Sequence, residues 1–288
     1  MRKDSIKSLI AAVALAASSF HGLAMSPAEI RWGNERSDTT AITRMLVEAA
    51  ALKVDKPAEL IAPIGKMMLG TPYIAGGIEG DTEMLTIRLD SLDCTTFVET
   101  ALAAAKTVFQ RRTSWRDFAE TLKDMRYRGG IVNGYGSRLH YFSDWVVENS
   151  HRGDLLDATD RAGKADYIVR TLDFMSRNRN KYPALEDDAN YNAIKNAEVG
   201  YRSHRFAYIK PINLKTAQIK EGDIIGIVTS INGLDVTHLG IATMVDGRPH
   251  LLHASSAKGQ VVVDQLDIAD YLKRNRKAIG IRIIRLVD

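Results

Sequence analysis

The sequence predicts an α+β domain whose helices come first and whose antiparallel sheet comes last. Three observations predict it. Apolar residues recur at helical spacing between residue 36 and about residue 125. Short β-rich runs joined by Asn-Gly and Asp-Gly turns fill residues 224–287. No repeat, low-complexity tract or linker divides the two, so residues 25–288 read as one domain. With 45% hydrophobic and 26% charged residues, the chain can bury a real core.

The chain opens with Arg2, Lys3 and Lys7, then the apolar run Leu9 to Ala17, then small residues at Gly22 and Ala24. The apolar run is too short to span a bilayer, which takes about 20 residues. A basic start, a short apolar core and a small-residue site describe a secretory leader over residues 1–24. A buried N-terminal helix is the alternative. No cysteine follows the run, so the mature chain is expected to be exported, periplasmic and without a membrane anchor. The formal charge is +4, of which the leader supplies a net +2, too mild a balance to argue for nucleic acid.

Residues 36–54 place Ile42, Met45, Leu46, Ala49 and Leu52 on one helical face, and residues 57–69 repeat the pattern with Leu60, Ile64, Met67 and Met68. Gly70-Thr71-Pro72-Tyr73 is a turn, and Gly76, Gly77 and Gly80 keep the chain irregular up to Leu92. A helix then runs from Cys94 to about Gln110, rich in alanines that admit another layer closely, and Trp115 to Met125 gives a further helix. The glycine-rich stretch Gly129 to Gly136 lacks the Lys-Ser/Thr ending of a phosphate loop and reads as a turn. His140 to Trp145 begins a helical segment. Residues 160–205 are charge-rich, as solvated faces usually are. Strands follow over Ile224–Val228, Val236–Val245, Pro249–Ser255, Val261–Val263 and Ile279–Val287, with a short helix over Ile268–Lys273.

The single cysteine, Cys94, excludes an intramolecular disulfide. It stands in a first helical turn, where unpaired N–H groups and the macrodipole favour a thiolate, although its neighbour Asp93, a plausible N-cap, opposes one. A buried structural thiol is the alternative reading. Two histidines lie in the strand half. Alternation puts His238 on one face with Val236, Gly240 and Ala242, a small-residue face suited to the alanine-rich helix. His253 faces the same way as Ser255 on the next strand, while His250 points to the other face. One hairpin therefore brings His238 and His253 within hydrogen-bond reach. A thiol, a base and a group orienting that base form the pattern of an activated nucleophile. A zinc site is the competing reading, but no His-Glu-x-x-His, Cys-x-x-Cys or third ligand is present.

Gly70-Thr71-Pro72-Tyr73, Asp93 to Glu99, Glu221-Gly222-Asp223, His238 to Ile241 and His253-Ala254-Ser255 together resemble the NlpC-type cell-wall cysteine peptidases. Leu92 to Glu99 and Arg138 to Trp145 are similar, more narrowly, to the branch named N-acetylmuramoyl-L-alanine amidase-like. The resemblance extends from about residue 40 onward. It implies a papain-like fold with Cys94 as nucleophile, His238 as base and His253 as the orienting member. It also implies Tyr73, His140, Tyr141 and Ser143 as substrate contacts, and no metal or organic cofactor. The long stretch between Cys94 and His238 departs from small members and implies an inserted helical region over about residues 110–215. Its Tyr182, Tyr191, Tyr201 and Tyr208, set among basic residues, suit a sugar bearing an acidic peptide. The expected activity is hydrolysis of the muramyl–L-alanine amide in peptidoglycan or its fragments. A D-glutamyl–diaminopimelate endopeptidase, a non-catalytic peptidoglycan-binding protein and a thioester acyltransferase are the alternatives.

Overall fold

A computed structural model describes residues 26–287, and the leader expected over residues 1–24 lies outside the described residues. The chain begins with β1 (Ile30–Trp32), α1 (Glu35–Ala50) and α2 (Ala58–Met67), followed by β2 (Leu85–Ile87). β1 and β2 form a small parallel pair that the glycine-rich sequence conceals, each being only three residues long. Helix α3 (Cys94–Phe109) comes next, then α4 (Trp115–Arg126), α5 (Phe142–His151) and β3 (Leu155–Asp157).

Helix α3 starts where it does because of a reciprocal cap. The Asp93 carboxylate accepts the Thr96 N–H at 2.8 Å, and the Thr96 hydroxyl accepts the Asp93 N–H at 2.9 Å. Beyond the cap, Phe97, Val98, Ala101, Leu102, Ala103, Ala104 and Ala105 are all fully buried. The helix is covered on every side, and its small side chains let α1, α2 and α4 approach it together.

The second half follows with α6 (Thr159–Ala162), β4 (Asp166–Arg170), α7 (Phe174–Arg177), α8 (Asp188–Val199) and β5 (His204–Tyr208). It ends with β6 (Ile224–Thr229), β7 (Val236–Val245), β8 (Arg248–Ser255), β9 (Gln260–Asp267), α9 (Ile268–Arg274) and β10 (Ala278–Leu286). A six-stranded antiparallel sheet runs β3-β10-β6-β7-β8-β9. The start of its outer strand, β9, is paired by the turn after α2. Gly70 takes a positive φ of 84° there and donates to the Val261 carbonyl, Val261 donates to Thr71, and Tyr73 donates to Gly259.

Two features differ from the sequence reading. The face of β7 that receives α3 is that of Leu239 and Ile241, which join Leu252, Ala254 and Phe97 in one core. Ala242, expected on that face, packs instead with Leu251, Ile268 and Leu272 on the α9 side. Both faces of this strand are covered, so residue size alone does not say which side meets the helix. Residues 110–215 are also not helical throughout. α4 packs on α3 through a Thr107–Thr121 hydroxyl bond of 3.2 Å, β3 is the edge of the main sheet, and β4 pairs with β5. The part built on a core of its own holds Tyr135, Tyr141, Leu172, Met175, Leu185 and Ile194.

Candidate active site

Cys94 is the first residue of α3 and is half-buried. Burial pushes its thiol up to about 11, and the adjacent Asp93 charge pushes the same way, against weaker hydrogen bonds from the Leu239 backbone and Thr95. The helix start therefore holds a thiol at neutral pH, since desolvation outweighs the macrodipole here.

The two strand histidines meet. His238 Nε2 lies 2.5 Å from His253 Nδ1, with the rings nearly perpendicular at 82°. The pairing Ile241↔Leu252 sets Gly240 beside His253, and this glycine makes the room. A Cβ at residue 240 would stand 3.1 Å from His253 Cβ and 2.6 Å from Leu251 Cδ1. Burial pulls the His238 imidazole down to about 3, and His253 adds to this, so the imidazole is neutral at rest. Burial also lowers His253, against the Asp264 carboxylate, which raises it.

Asp264 and Tyr271 belong to this cluster and escaped sequence reasoning. Asp264 Oδ2 is 3.7 Å from His253 Nε2. Its other oxygen accepts the Leu266 N–H at 2.9 Å. The Tyr271 ring packs edge-on against His253 at 5.6 Å. Burial raises its hydroxyl pKa, with Asp264 and Cys94 as the charged neighbours. The one signal for Asp264 was an acid on the face of Val262, which pairs with His253. Tyr73 stands beside Cys94: burial raises its hydroxyl pKa, with Cys94 and Asp93 adding to the effect. His250 is elsewhere, bonded through Nδ1 to the Asp264 carbonyl at 2.9 Å.

Cys94 and His238 line one cavity of about 140 Å³. Its walls are Thr95, Val98 and Glu99 of α3, the segment Leu139, His140, Phe142 and Trp145, and residues 234–239. His140 is thus at the cavity, its Nε2 bonded to the Tyr135 carbonyl at 2.8 Å, and burial followed by Arg138 lowers it to about 3. Trp145 is buried and its Nε1 has no hydrogen-bond partner among the described residues.

The neighbouring Tyr141 and Ser143 do not line this cavity and are bonded within the fold. The Tyr141 hydroxyl donates to Glu198 at 2.7 Å and accepts the Met175 N–H at 2.9 Å. The Ser143 N–H donates to Asp235 at 2.5 Å and its hydroxyl accepts from Arg282 at 2.8 Å. A helix shows neighbouring residues to different surroundings, so one motif both lines the cavity and ties the fold. The four tyrosines of the later segment are likewise used internally. Tyr201 donates to Asp144 at 2.7 Å, Tyr191 lies under Arg179, and Tyr182 and Tyr208 pack into buried clusters. Among the described residues no group of three or more His, Cys, Asp or Glu side chains is arranged to hold a metal ion. No helix among them is long and apolar enough to cross a membrane.

Comparison with known proteins places the chain in a family. The AmiA-like family, described as N-acetylmuramoyl-L-alanine amidase-like, matches residues 63–281, and the chain belongs to it. Among solved structures, an N-acetylmuramoyl-L-alanine amidase from Bacteroides uniformis is 35% identical with a TM-score of 0.76, over 80% of this chain and 100% of that one. A Bacteroides fragilis protein carrying the name xylanase is 39% identical with a TM-score of 0.73, over 77% of this chain and 98% of that one. A Legionella pneumophila protein at 23% identity shares the fold, with a TM-score of 0.65 over 88% of this chain and 97% of that one. No curated protein matches the chain.

Proposed function

We propose that this member of the amidase-like family is an exported cysteine amidase of papain-like, NlpC-type architecture that hydrolyses the muramyl–L-alanine amide of peptidoglycan. The observation behind this reading is that the sole thiol and the His238–His253 pair share one corner, where Cys94 and His238 line the same cavity. The resting pair is neutral, so the Cys94 sulfur attacks the lactyl carbonyl as its proton passes to His238 Nδ1, the ring nitrogen that His253 leaves free. N–H groups of the first turn of α3 stabilise the oxyanion. The C–N bond then breaks, His238 returns the proton to the L-alanine amine, and a thioester remains. Water, deprotonated by His238, releases the acid and restores the thiol. The small apolar cavity beside Cys94 suits the methyl-bearing lactyl group on the acyl side. No step uses a metal or an organic cofactor.

The xylanase name of one relative does not transfer to this site. Glycoside hydrolysis needs two carboxyl groups free to act as acid and as nucleophile or base. The two at the cavity are committed: Glu99 accepts from Arg126 at 2.7 Å, and Asp235 accepts the N–H groups of Ser143 and Val236.

The test is mass analysis of defined muropeptides after incubation with the enzyme. An anhydromuramyl tripeptide should give free sugar and an intact peptide beginning with L-alanine, while the free tripeptide L-Ala-γ-D-Glu-diaminopimelate stays whole. Release of L-Ala-D-Glu from that free peptide would replace the amidase with an endopeptidase.

A further inference from the structure

We propose that Asp264 is a positioning residue that sets the proton arrangement of both histidines, extending the cluster to Cys94–His238–His253–Asp264. It deepens the cysteine-amidase reading and depends on it only for the kinetic arm of its test.

The two nitrogens of His253 have different surroundings. Nδ1 is occupied by His238 Nε2 at 2.5 Å. Nε2 is buried and has no hydrogen-bond partner among the described residues, and Asp264 Oδ2 stands 3.7 Å from it. The groups facing His253 are His238 from β7, Asp264 from β9 and the Tyr271 ring from α9, so Asp264 is the only anion among them. A carboxylate accepts and does not donate, so it favours the tautomer with the proton on His253 Nε2. Nδ1 is then an acceptor, and His238 must carry its proton on Nε2 to fill the 2.5 Å contact. That leaves His238 Nδ1 as an unprotonated base for the thiol. With the opposite tautomer on His253, its Nδ1–H would donate to His238 Nε2 and place the proton of His238 on Nδ1, where no base remains.

The same carboxylate answers an energetic difficulty. Burial holds His238 far below the pH at which it must accept a proton. A fixed negative charge at the far end of the imidazole pair stabilises the cation formed on His238 during attack.

Asparagine at this position separates positioning from structure. Asp264 Oδ1 already takes the Leu266 N–H at 2.9 Å. In Asp264→Asn the amide oxygen keeps that bond and the NH₂ group must face His253 Nε2, donating where the carboxylate accepts. The near-isosteric asparagine should therefore be worse than alanine: kcat should fall by ~10²-fold in Asp264→Asn and ~10-fold in Asp264→Ala, with KM unchanged in both and the melting temperature unchanged in Asp264→Asn. Nitrogen-15 chemical shifts of the resting protein should show the protons on Nε2 of both histidines in the wild type and on Nδ1 in Asp264→Asn. Unchanged tautomers in Asp264→Asn, or alanine proving worse than asparagine, would overturn the inference. If the wild type cleaves no muropeptide, the amidase reading fails, and the nitrogen shifts still decide the role of Asp264.

Discussion

The two walls that meet at Cys94 are built by opposite means. The strand wall, β7 to β9, carries two neutral imidazoles, one half-buried and one buried, in line with a carboxylate and holds them by register and by the missing side chain of Gly240. The facing wall, residues 138–145, is fastened from behind by charge. Arg138 lies 2.9 Å from Glu79 and 3.2 Å from Glu83, and Asp144 meets Arg128 at 2.6 Å. Its front residues, Leu139, His140, Phe142 and Trp145, give the cavity its apolar surface. A site that passes protons must keep them nearly balanced between partners, whereas a wall that shapes substrate gains from bonds that do not move. The strand wall should therefore govern rate, and the charged wall stability.

The largest test strikes the strand wall and the nucleophile. Cys94→Ala should cost on the order of 10⁴-fold or more in kcat. His238→Ala should cost ~10²–10⁴-fold, and His253→Gln less than either, since an amide can still orient an imidazole. None should lower the melting temperature by more than a few degrees, so a collapsed fold in all three would erase the contrast.

The next test strikes the charged wall. Arg138→Met leaves Glu83 buried without its main cation and should cost about 3–5 kcal/mol of stability in urea titrations. A loss under about 1 kcal/mol would mean that these pairs behave as ordinary surface pairs and do not hold the wall.

The last test is in pH. His238 and His140 are both depressed to about 3 in the folded protein, against an ordinary value near 6.5. Their contribution is present above about 6.5 and is lost as pH falls toward 3. Acid titration of stability should fall through that window, and less steeply in His140→Gln. Cys94 shifts the other way, so its contribution fades as pH rises through about 11, and thiolate absorbance should appear only there. A thiolate band at neutral pH would instead mean a preformed ion pair.

The sequence made much of this legible where local chemistry decides the outcome. The alternation and flanking turns of Val236–Val245 mark its ends at the residues where β7 begins and stops, and Asp93 announces the start of α3. What stayed hidden depended on which strand lies beside which. An acid on a strand, such as Asp264, has no special mark until the register sets it against His253. Tyr271 reaches the same cluster only because α9 folds back over β9. The bonds of Tyr141 and Ser143 were hidden for a different reason: a motif read as a unit contains residues with different surroundings, one lining the cavity and the next bonded to Glu198 or Arg282.

The turn that pairs with the start of β9 ties solubility to chemistry. An uncovered edge strand presents free donors and acceptors to any other extended chain and is a common start of aggregation. At Gly259 and Val261 residues 70–73 take up those groups, and the same four residues hold Tyr73 beside Cys94. One short clasp therefore both guards against self-association and completes the site. A change that frees Tyr73 also bares the strand beside it, so loss of activity there and a tendency to assemble should arrive together.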